Sequence, residues 1–523
     1  MKSRRLTCAL AIFSLLTMTG RLAAQDRQNH DNKRHHYQLI DIGTFGGPNS
    51  GVPNVFFEIG APGAARAISE QGTVTGTADT SMQDPLCFFD DCLYPNAFQW
   101  RKGKLTSLGA LPGARWSGVN WISGNGLIAG ISENGENDPL LAFPEGHAVL
   151  WRDNRITDLG TLPGGYESFA FAVNNRGQVV GDATNGTVDP YSYYYFTILG
   201  ISNGTQTRAF VWDKLSGMQD LGTLGGPDAW AAFVNEQGQI AGISFTSFTA
   251  NADNGPVCAP NVPSQDPFFW DKDSGMIDIG TLGGTCGAPQ ALNNRGQVVG
   301  GSYLAGNTAV HPFLWDKGER PRLTDLGTLG GDNGTATWIS ESGLIVGSAD
   351  FPGDQIHHAV LWSDGIISDL GTVGADLCSR GFAINSNGQV VGGSSDCNAF
   401  VHAYIWENGG PMIDLNTLVP PGSDLTLTQA SFINERGEIV GTGVLPNGDS
   451  RAFLLIPCDE EHPDVEGCDY ATVDAVASPA STASAVLAPT AASQAGLMPS
   501  EMQDRIRALL TRRNRRFGAW RQK

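Results

Sequence analysis

Between residues 37 and 457 the apolar residues come in short runs, such as Ala170–Val173, Ala209–Trp212 and Leu344–Val346, each closed by asparagine, aspartate or glycine. Runs of this length between turn residues read as β-strands, because a helix needs an apolar stripe sustained over several turns. The end of the chain does show such a stripe: Met502, Ile506, Leu509 and Leu510 fall on one helical face.

The strand pattern repeats in three motifs of fixed order. D-L-G-T-L-G-G stands at Asp41–Gly47, Asp158–Gly165 (with Pro163 inserted), Asp220–Gly226, Asp278–Gly284 and Asp325–Gly331, with degenerate copies from Ser107, Asp369 and Asp414. I-N-x-x-G-x-V-x-G stands at Val173–Gly181, Leu292–Gly300, Ile384–Gly392 and Ile433–Gly441, with further copies from Ile68, Ile122, Val234 and Ile339. H-A-F-L-W is clearest at His147–Trp151, His311–Trp315, His358–Trp362 and His402–Trp406; related copies end at Trp100, Trp212, Trp270 and Leu455. Each motif occurs eight times, and the shortest units, Asp325 to Asp369 and Asp369 to Asp414, span 44 and 45 residues. One unit predicts four short strands: a (A-x-x-I-N), b (G-Q-V-V-G), c (A-F-L-W) and d, which runs into D-L-G. The N-x-x-G between a and b suits a tight hairpin, since glycine accepts positive φ. Four strands in so short a repeat are the pattern of a propeller blade.

The ends of the array fit together. The first D-L-G copy is preceded by Tyr37–Ile40 alone, and the last unit has strands a, b and c, ending at Ala452–Ile456, but no d. The expected fold is therefore all-β: an eight-bladed β-propeller of four-stranded blades, closed by the N-terminal strand pairing in the last blade, which hides the open edges. A parallel β-helix is the rival, but its repeats are shorter and lack the hairpins. The residue before the strand-a Ile, Val or Leu is in turn Ala67, Trp121, Ala172, Phe233, Ala291, Trp338, Ala383 and Phe432. Small and aromatic residues alternate, as core packing between neighbouring inner strands would need.

The three motifs together resemble the HAF family of bacterial extracellular repeat proteins. The resemblance covers 37–457 and implies export and a repeat architecture, with no established reaction. Leu455 for Trp, Asn416 for the motif glycine and the weak copy at Ser107 depart from the pattern.

Charge and cysteine agree with export. Residues 1–24 read as a signal peptide, with Lys2, Arg4 and Arg5 before an apolar stretch at 6–18 and cleavage after Ala24. A linker at 25–36 follows. The net charge is −20, but the first 24 residues carry +4 and residues 501–523 carry +6, so the body between them stands at −30. So acidic a body repels nucleic-acid phosphates. Glycine is 67 of 523 residues, roughly twice the usual share of about 7%. Eight cysteines remain after Cys8 leaves with the signal, an even number, as an oxidising compartment favours. Neighbouring pairs Cys87–Cys92, Cys258–Cys286 and Cys378–Cys397 are feasible on one face, and Cys458 with Cys468 would close a small loop within 458–474. Connectivity stays open, because eight cysteines allow 105 pairings. Residues 475–499 are an Ala/Ser/Thr/Pro-rich linker, and 500–523 form a basic amphipathic helix suited to an anionic envelope surface or to the acidic body.

No catalytic motif stands out. The recurrent histidines His147, His311, His358 and His402 sit in different units, too far apart for a metal set, and read as capping strand c or facing a seam. The motif Asp reads as an Asx-type acceptor in its Gly-rich turn. No cofactor is expected. Calcium is the one ion these turns suggest, yet each turn supplies a single obvious carboxylate where calcium takes six or more oxygens. Function should sit where the repeat is broken. Insertions at 77–95, 131–146, 182–207 and 243–266 fall between strands b and c of the first four units, and 48–64 lies between a d and an a strand. These loops share one face. They carry Phe88, Phe89, Asp90, Asp91 and Tyr94 in the first, and Tyr191, Tyr193, Tyr194, Tyr195 and Phe196 in the third. Two roles fit these rings: stacking on sugars or a protein partner, or stapling the loops to the sheets. The leading expectation is a secreted, monomeric, non-catalytic protein that binds a glycan or cell-surface protein through this face. The second is a polysaccharide hydrolase or lyase drawing its acids from Asp90, Asp91, Glu133, Glu136 or Asp138. The third is a structural envelope protein held by its basic tail. The expected address is extracellular, with the periplasm or cell surface as variants.

Overall fold

The three motifs build the same four-stranded antiparallel unit wherever they recur. The second unit is typical: Ser117–Ile122, Ile128–Asn137, Pro144–Arg152 and Arg155–Asp158 pair in that order. The structure, a computed structural model, describes residues 36–459 and 462, apart from 54, 58–60, 64, 86, 88, 90, 141–143, 195–203, 253–261 and 408. It also describes the backbone of 33–34 and 473–474, which pair as a short ribbon. The expected signal peptide at 1–24, most of the expected linker at 25–36, the expected linker at 475–499 and the basic helix expected at 500–523 lie outside the described residues.

In chain order the units occupy 46–107, 117–158, 168–220, 229–278, 283–325, 334–369, 378–414 and 426–457. The fourth and fifth are joined by a single parallel bridge, Gln265 to Cys286. The last unit takes its fourth strand from the other end of the chain, with Tyr37–Asp41 antiparallel to Ser450–Pro457. Among the described residues the helical content is slight, and no helix is long and apolar enough to cross a membrane. The chain is all-β, as the short apolar runs require.

The first unit departs from the expected pattern. Its strand a is split by the long insertion: Gly46–Gly51 pairs with the outer part of Val74–Gln83, and only Ile68 bridges Val74 further in. The insertion forms a hairpin, Val55–Phe57 with Ala61–Gly63, that touches Gly283–Leu292 and Gly334–Ile339 of the fifth and sixth units.

Two recurrent devices join successive units. The motif asparagine donates from Nδ2 to the next unit: Asn174 to the Asn235 carbonyl (2.9 Å), Asn235 to Asn293 (2.9 Å), Asn293 to Ser340 (3.1 Å) and Asn385 to Asn434 (3.1 Å). Asn434 of the last unit donates to the Ser69 carbonyl of the first (3.1 Å). On the opposite side a strand-a serine accepts from the preceding unit's strand c: Ala97 N–H to Ser117 Oγ, Ala148 to Ser168, Ala359 to Ser379, and again last to first, Ala452 to Ser50. Asn434 also accepts at Oδ1 from the Arg436 and Glu438 amides. Asn434→Ala strands several buried groups at once, so it is expected to cost about 2–3 kcal/mol. Denaturant unfolding checks this, and a loss within about 0.5 kcal/mol, as for an ordinary surface change, would contradict it.

The alternating aromatics meet. Trp121 lies 6.1 Å from both Phe233 and Trp338, and Trp338 stands edge-on to Phe432 at 5.1 Å. The second, fourth, sixth and last units thus bring their inner strands to one aromatic contact, while alanines at the intervening positions leave room for it.

Three of the four strand-c histidines pair with the motif aspartate of their own unit, while His402 Nδ1 pairs with Asp376 (2.8 Å). His147 Nδ1 meets Asp158 (3.0 Å), His311 meets Asp325 (2.8 Å) and His358 meets Asp369 (2.8 Å). The same aspartates accept from the amide two residues on, as Asp158 does from Gly160 (2.8 Å), which is the Asx role the turn chemistry implies. Disulfides join Cys87 to Cys92 and Cys378 to Cys397. Cys286 and Cys458 are disulfide-bonded as well, and their expected partners, Cys258 and Cys468, lie outside the described residues.

Candidate functional site

What reads as loops between strands b and c is partly ribbon. Strand b of the first three units runs on to Gln83, Asn137 and Asp189, and pairs with Leu93, Pro144 and Gly204 of strand c. Each ribbon ends in Asp-Pro, and Asp84, Asp138 and Asp189 are all buried. The b–c and d–a segments share one face: Asn49 Nδ2 donates to Asp91 Oδ2 (3.2 Å), Gly186 N–H to the Pro163 carbonyl (3.1 Å), and the Cys378–Cys397 disulfide ties one kind of segment to the other.

The rings of this face divide among three seams. Tyr193, 9% exposed, stacks on Trp230 at 3.7 Å, and its amide donates to buried Asp228. Tyr194 packs on Phe169 at 5.3 Å, with its hydroxyl on buried Glu167. Tyr191 is half-buried beside Asp189 (3.0 Å). Tyr94 is only 5% exposed. Phe88, Asp90 and Tyr195 lie outside the described residues. These tyrosines staple the insertions to the sheets.

One seam combines proton-transfer groups with an open surface. Tyr94, at the start of strand c of the first unit, reaches toward the segment that precedes the second unit. There the exposed Arg115 donates from Nη1 to Tyr94 Oη (3.3 Å), with its guanidinium 5.9 Å from the Tyr94 ring centre. Glu133, six residues into strand b of the second unit, accepts from the Arg115 amide (3.0 Å) and from the Trp116 indole. Half-buried Trp116 stands edge-on to half-buried Phe89 at 5.5 Å. Burial pushes the Glu133 carboxyl above its ordinary range despite these donors. Burial also raises the Tyr94 hydroxyl, although Arg115 beside it pulls the other way. Asp84 acts on both Tyr94 and Arg115 through its charge.

Of the expected acids among the described residues, Glu133 alone enters this group. Asp91 is taken up by the Leu93 amide (3.0 Å) and Asn49, Glu136 is exposed at the ribbon tip, and buried Asp138 accepts from Leu140 in the next seam. Arg115 and Trp116 are not among the residues expected from the sequence. The signal was present: across 48–64, 77–95, 109–117, 131–146, 160–168, 182–207, 222–229 and 243–266, Arg115 is the one lysine or arginine. Among the described residues no group of three or more His, Cys, Asp or Glu side chains is placed to hold a metal.

Several carboxyls elsewhere are shifted toward their neutral form. Burial lifts Asp182 from 3.8 to about 8, and burial with Asp91 lifts Asp79 to about 7. Asp266 occupies in the fourth unit the slot that histidine fills opposite the motif Asp in other units; burial and Asp278 raise it to about 7. Burial takes Asp350 to about 6. A carboxyl whose folded pKa lies above its unfolded one stabilises fully below the unfolded value and loses that contribution as the pH rises through the folded one. Stability is therefore expected to decline from near pH 3.8 upward to about 8. Thermal midpoints across that range test it, with Asp182→Asn flattening the decline; a midpoint that rises across the range would contradict it.

No family model and no curated protein matches the chain. Solved structures do. A puromycin hydrolase mutant complexed with PGG is 13% identical, with a TM-score of 0.40 over 64% of this chain and 50% of its own. The acylaminoacyl peptidase of Pyrococcus horikoshii is 10% identical, with a TM-score of 0.39 over 72% of this chain and 54% of its own. Dipeptidyl peptidase 4 of Porphyromonas gingivalis is 8% identical, with a TM-score of 0.34 over 73% of this chain and 64% of its own. The chain thus spans half to under two thirds of their lengths. The expectation of a non-catalytic module that binds through exposed rings is corrected here. Tyr94 and Tyr193, two rings meant to stack on a ligand, are built into the seams.

Proposed function

We propose that this chain is a secreted enzyme that cleaves a polysaccharide, by hydrolysis or by elimination, at the seam between its first two units. The observation that carries this reading is the grouping of Glu133, Tyr94 and Arg115 beside the Phe89–Trp116 ring pair. Breaking a glycosidic bond requires proton transfer at the scissile linkage, and a carboxyl lifted by burial is a better proton acceptor than an exposed one. Glu133 has that character, and Asp84 supplies a second carboxylate acting on the same group. The aromatic pair offers an apolar edge against which a sugar ring can lie.

The reading takes the units as blades of a closed eight-bladed propeller of the HAF type. Hydrogen bonds from Asn434 to Ser69 and from Ala452 to Ser50, together with the pairing of Tyr37–Asp41 in the last unit, favour closure. Disulfides favour an oxidising compartment. The test is to incubate the purified mature chain with a panel of neutral and acidic polysaccharides and to assay new reducing ends. Release from at least one polymer is expected; a panel left intact by folded protein would overturn the proposal.

A further inference from the structure

The proposed cleavage site also bears on its substrate's charge. The face is acidic, and Arg115 is the one lysine or arginine in the loop segments of the first four units. Its side chain is exposed and pairs with no carboxylate among the described residues. Of its five N–H donors, the contact seen is the one to Tyr94 Oη. An exposed guanidinium left with unused donors is well shaped for bidentate capture of a carboxylate.

Resting on the reading of this seam as a polysaccharide-cleaving site, we infer that its substrate is a polyuronate and that the reaction is β-elimination. Arg115 binds the uronate carboxylate and offsets the charge that develops there when the proton at C5 leaves. Glu133, as carboxylate, takes that proton. The C5–H electron pair forms the C4–C5 double bond, and the C4–O4 bond breaks. Tyr94 gives its proton to the departing O4, and its phenolate is held by Arg115 until solvent returns the proton that Glu133 gained. Atoms and electrons balance without a water, metal or oxidant. The environment suits these roles: burial makes Glu133 a stronger base than an exposed carboxylate and keeps Tyr94 protonated, ready to act as the acid.

The experiment uses the full mature chain with polygalacturonate, polymannuronate and hyaluronan, and with the same polymers after chemical reduction of their carboxyls. Reducing ends and the ultraviolet absorbance of the 4,5-unsaturated product are both followed. Expected is cleavage of at least one polyuronate with both signals rising together, and none of its reduced form. Arg115→Gln should lower the rate by about 100-fold, with Arg115→Lys recovering part of it and Tyr94→Phe retaining binding without product. Reducing ends without absorbance, or equal cleavage of the reduced polymer, would overturn the elimination and leave the broader proposal standing. No cleavage of any polymer, neutral ones included, would overturn both. Thermal unfolding of each variant separates loss of the reaction from loss of the fold.

Discussion

Glu133→Gln is expected to lower polysaccharide cleavage by about 10²–10⁴-fold, the range typical for removing a positioned acid or base. Glutamine keeps the length and shape of the side chain. Its amide oxygen can still accept from the Arg115 amide and the Trp116 indole, so the seam should close as before. What is lost is the ability to exchange a proton. Substrate affinity should change little, because Trp116, Phe89 and Arg115 remain. The thermal midpoint should stay level or rise, since a buried carboxyl is replaced by a group that never ionises. Full activity in the variant would remove Glu133 from the chemistry. A large fall in the midpoint would show instead that Glu133 is chiefly a structural acceptor.

Gly347→Ala is expected to cost about 3 kcal/mol or more, the upper range for overpacking a well-filled interior. The reason lies in strand a of the sixth unit, where the register shifts between Ala336 and Trp338 and Gly347 lies opposite Ala336. A Cβ on Gly347 would fall on the Thr335 carbonyl oxygen, and the adjacent backbone at Ala336 closes the remaining space. Equivalent glycines Gly181, Gly300, Gly392 and Gly441 face the same kind of carbonyl in their own units. Gly365 makes the control. It has φ +77° in an exposed c–d turn with nothing near its Cβ position, so Gly365→Ala should cost about 1 kcal/mol from backbone strain alone. Denaturant unfolding of the two variants measures both. Equal costs would show that the bulge relaxes and that the last glycine of I-N-x-x-G-x-V-x-G is not set by close approach.

The motifs make these sheets legible in the sequence because each motif residue acts mainly within its own unit. The D-L-G aspartate answers to an amide two residues away, and His147, His311 and His358 each answer to the motif aspartate one strand over. Such pairings survive translation from unit to unit and so stand out as repetition. The asparagine of I-N-x-x-G was legible only in part. Its hairpin role follows from the turn grammar, but its bond to the next unit's carbonyl depends on how neighbouring sheets meet. The alternation of alanine with Trp121, Phe233, Trp338 and Phe432 was more informative, because a size pattern reports on packing between units.

The site was less legible for the opposite reason. Its members come from the irregular stretches, and their meeting depends on the seam. Tyr94 and Glu133 lie 39 positions apart in two different units, and Arg115 follows the degenerate D-L-G copy at Ser107. Residue type suggested aromatic rings as ligand contacts, whereas burial assigns Tyr193 and Tyr194 to holding the insertions down.

The most direct test of the account is a structure of the Glu133→Gln variant bound to an oligosaccharide of a polymer that the wild-type chain cleaves. Sugar density is expected across the seam between the first two units, with one ring against Trp116 and Phe89 and the scissile oxygen within hydrogen-bond reach of Tyr94 and residue 133. Density at another seam, or on the opposite face among the a–b hairpins, would contradict it.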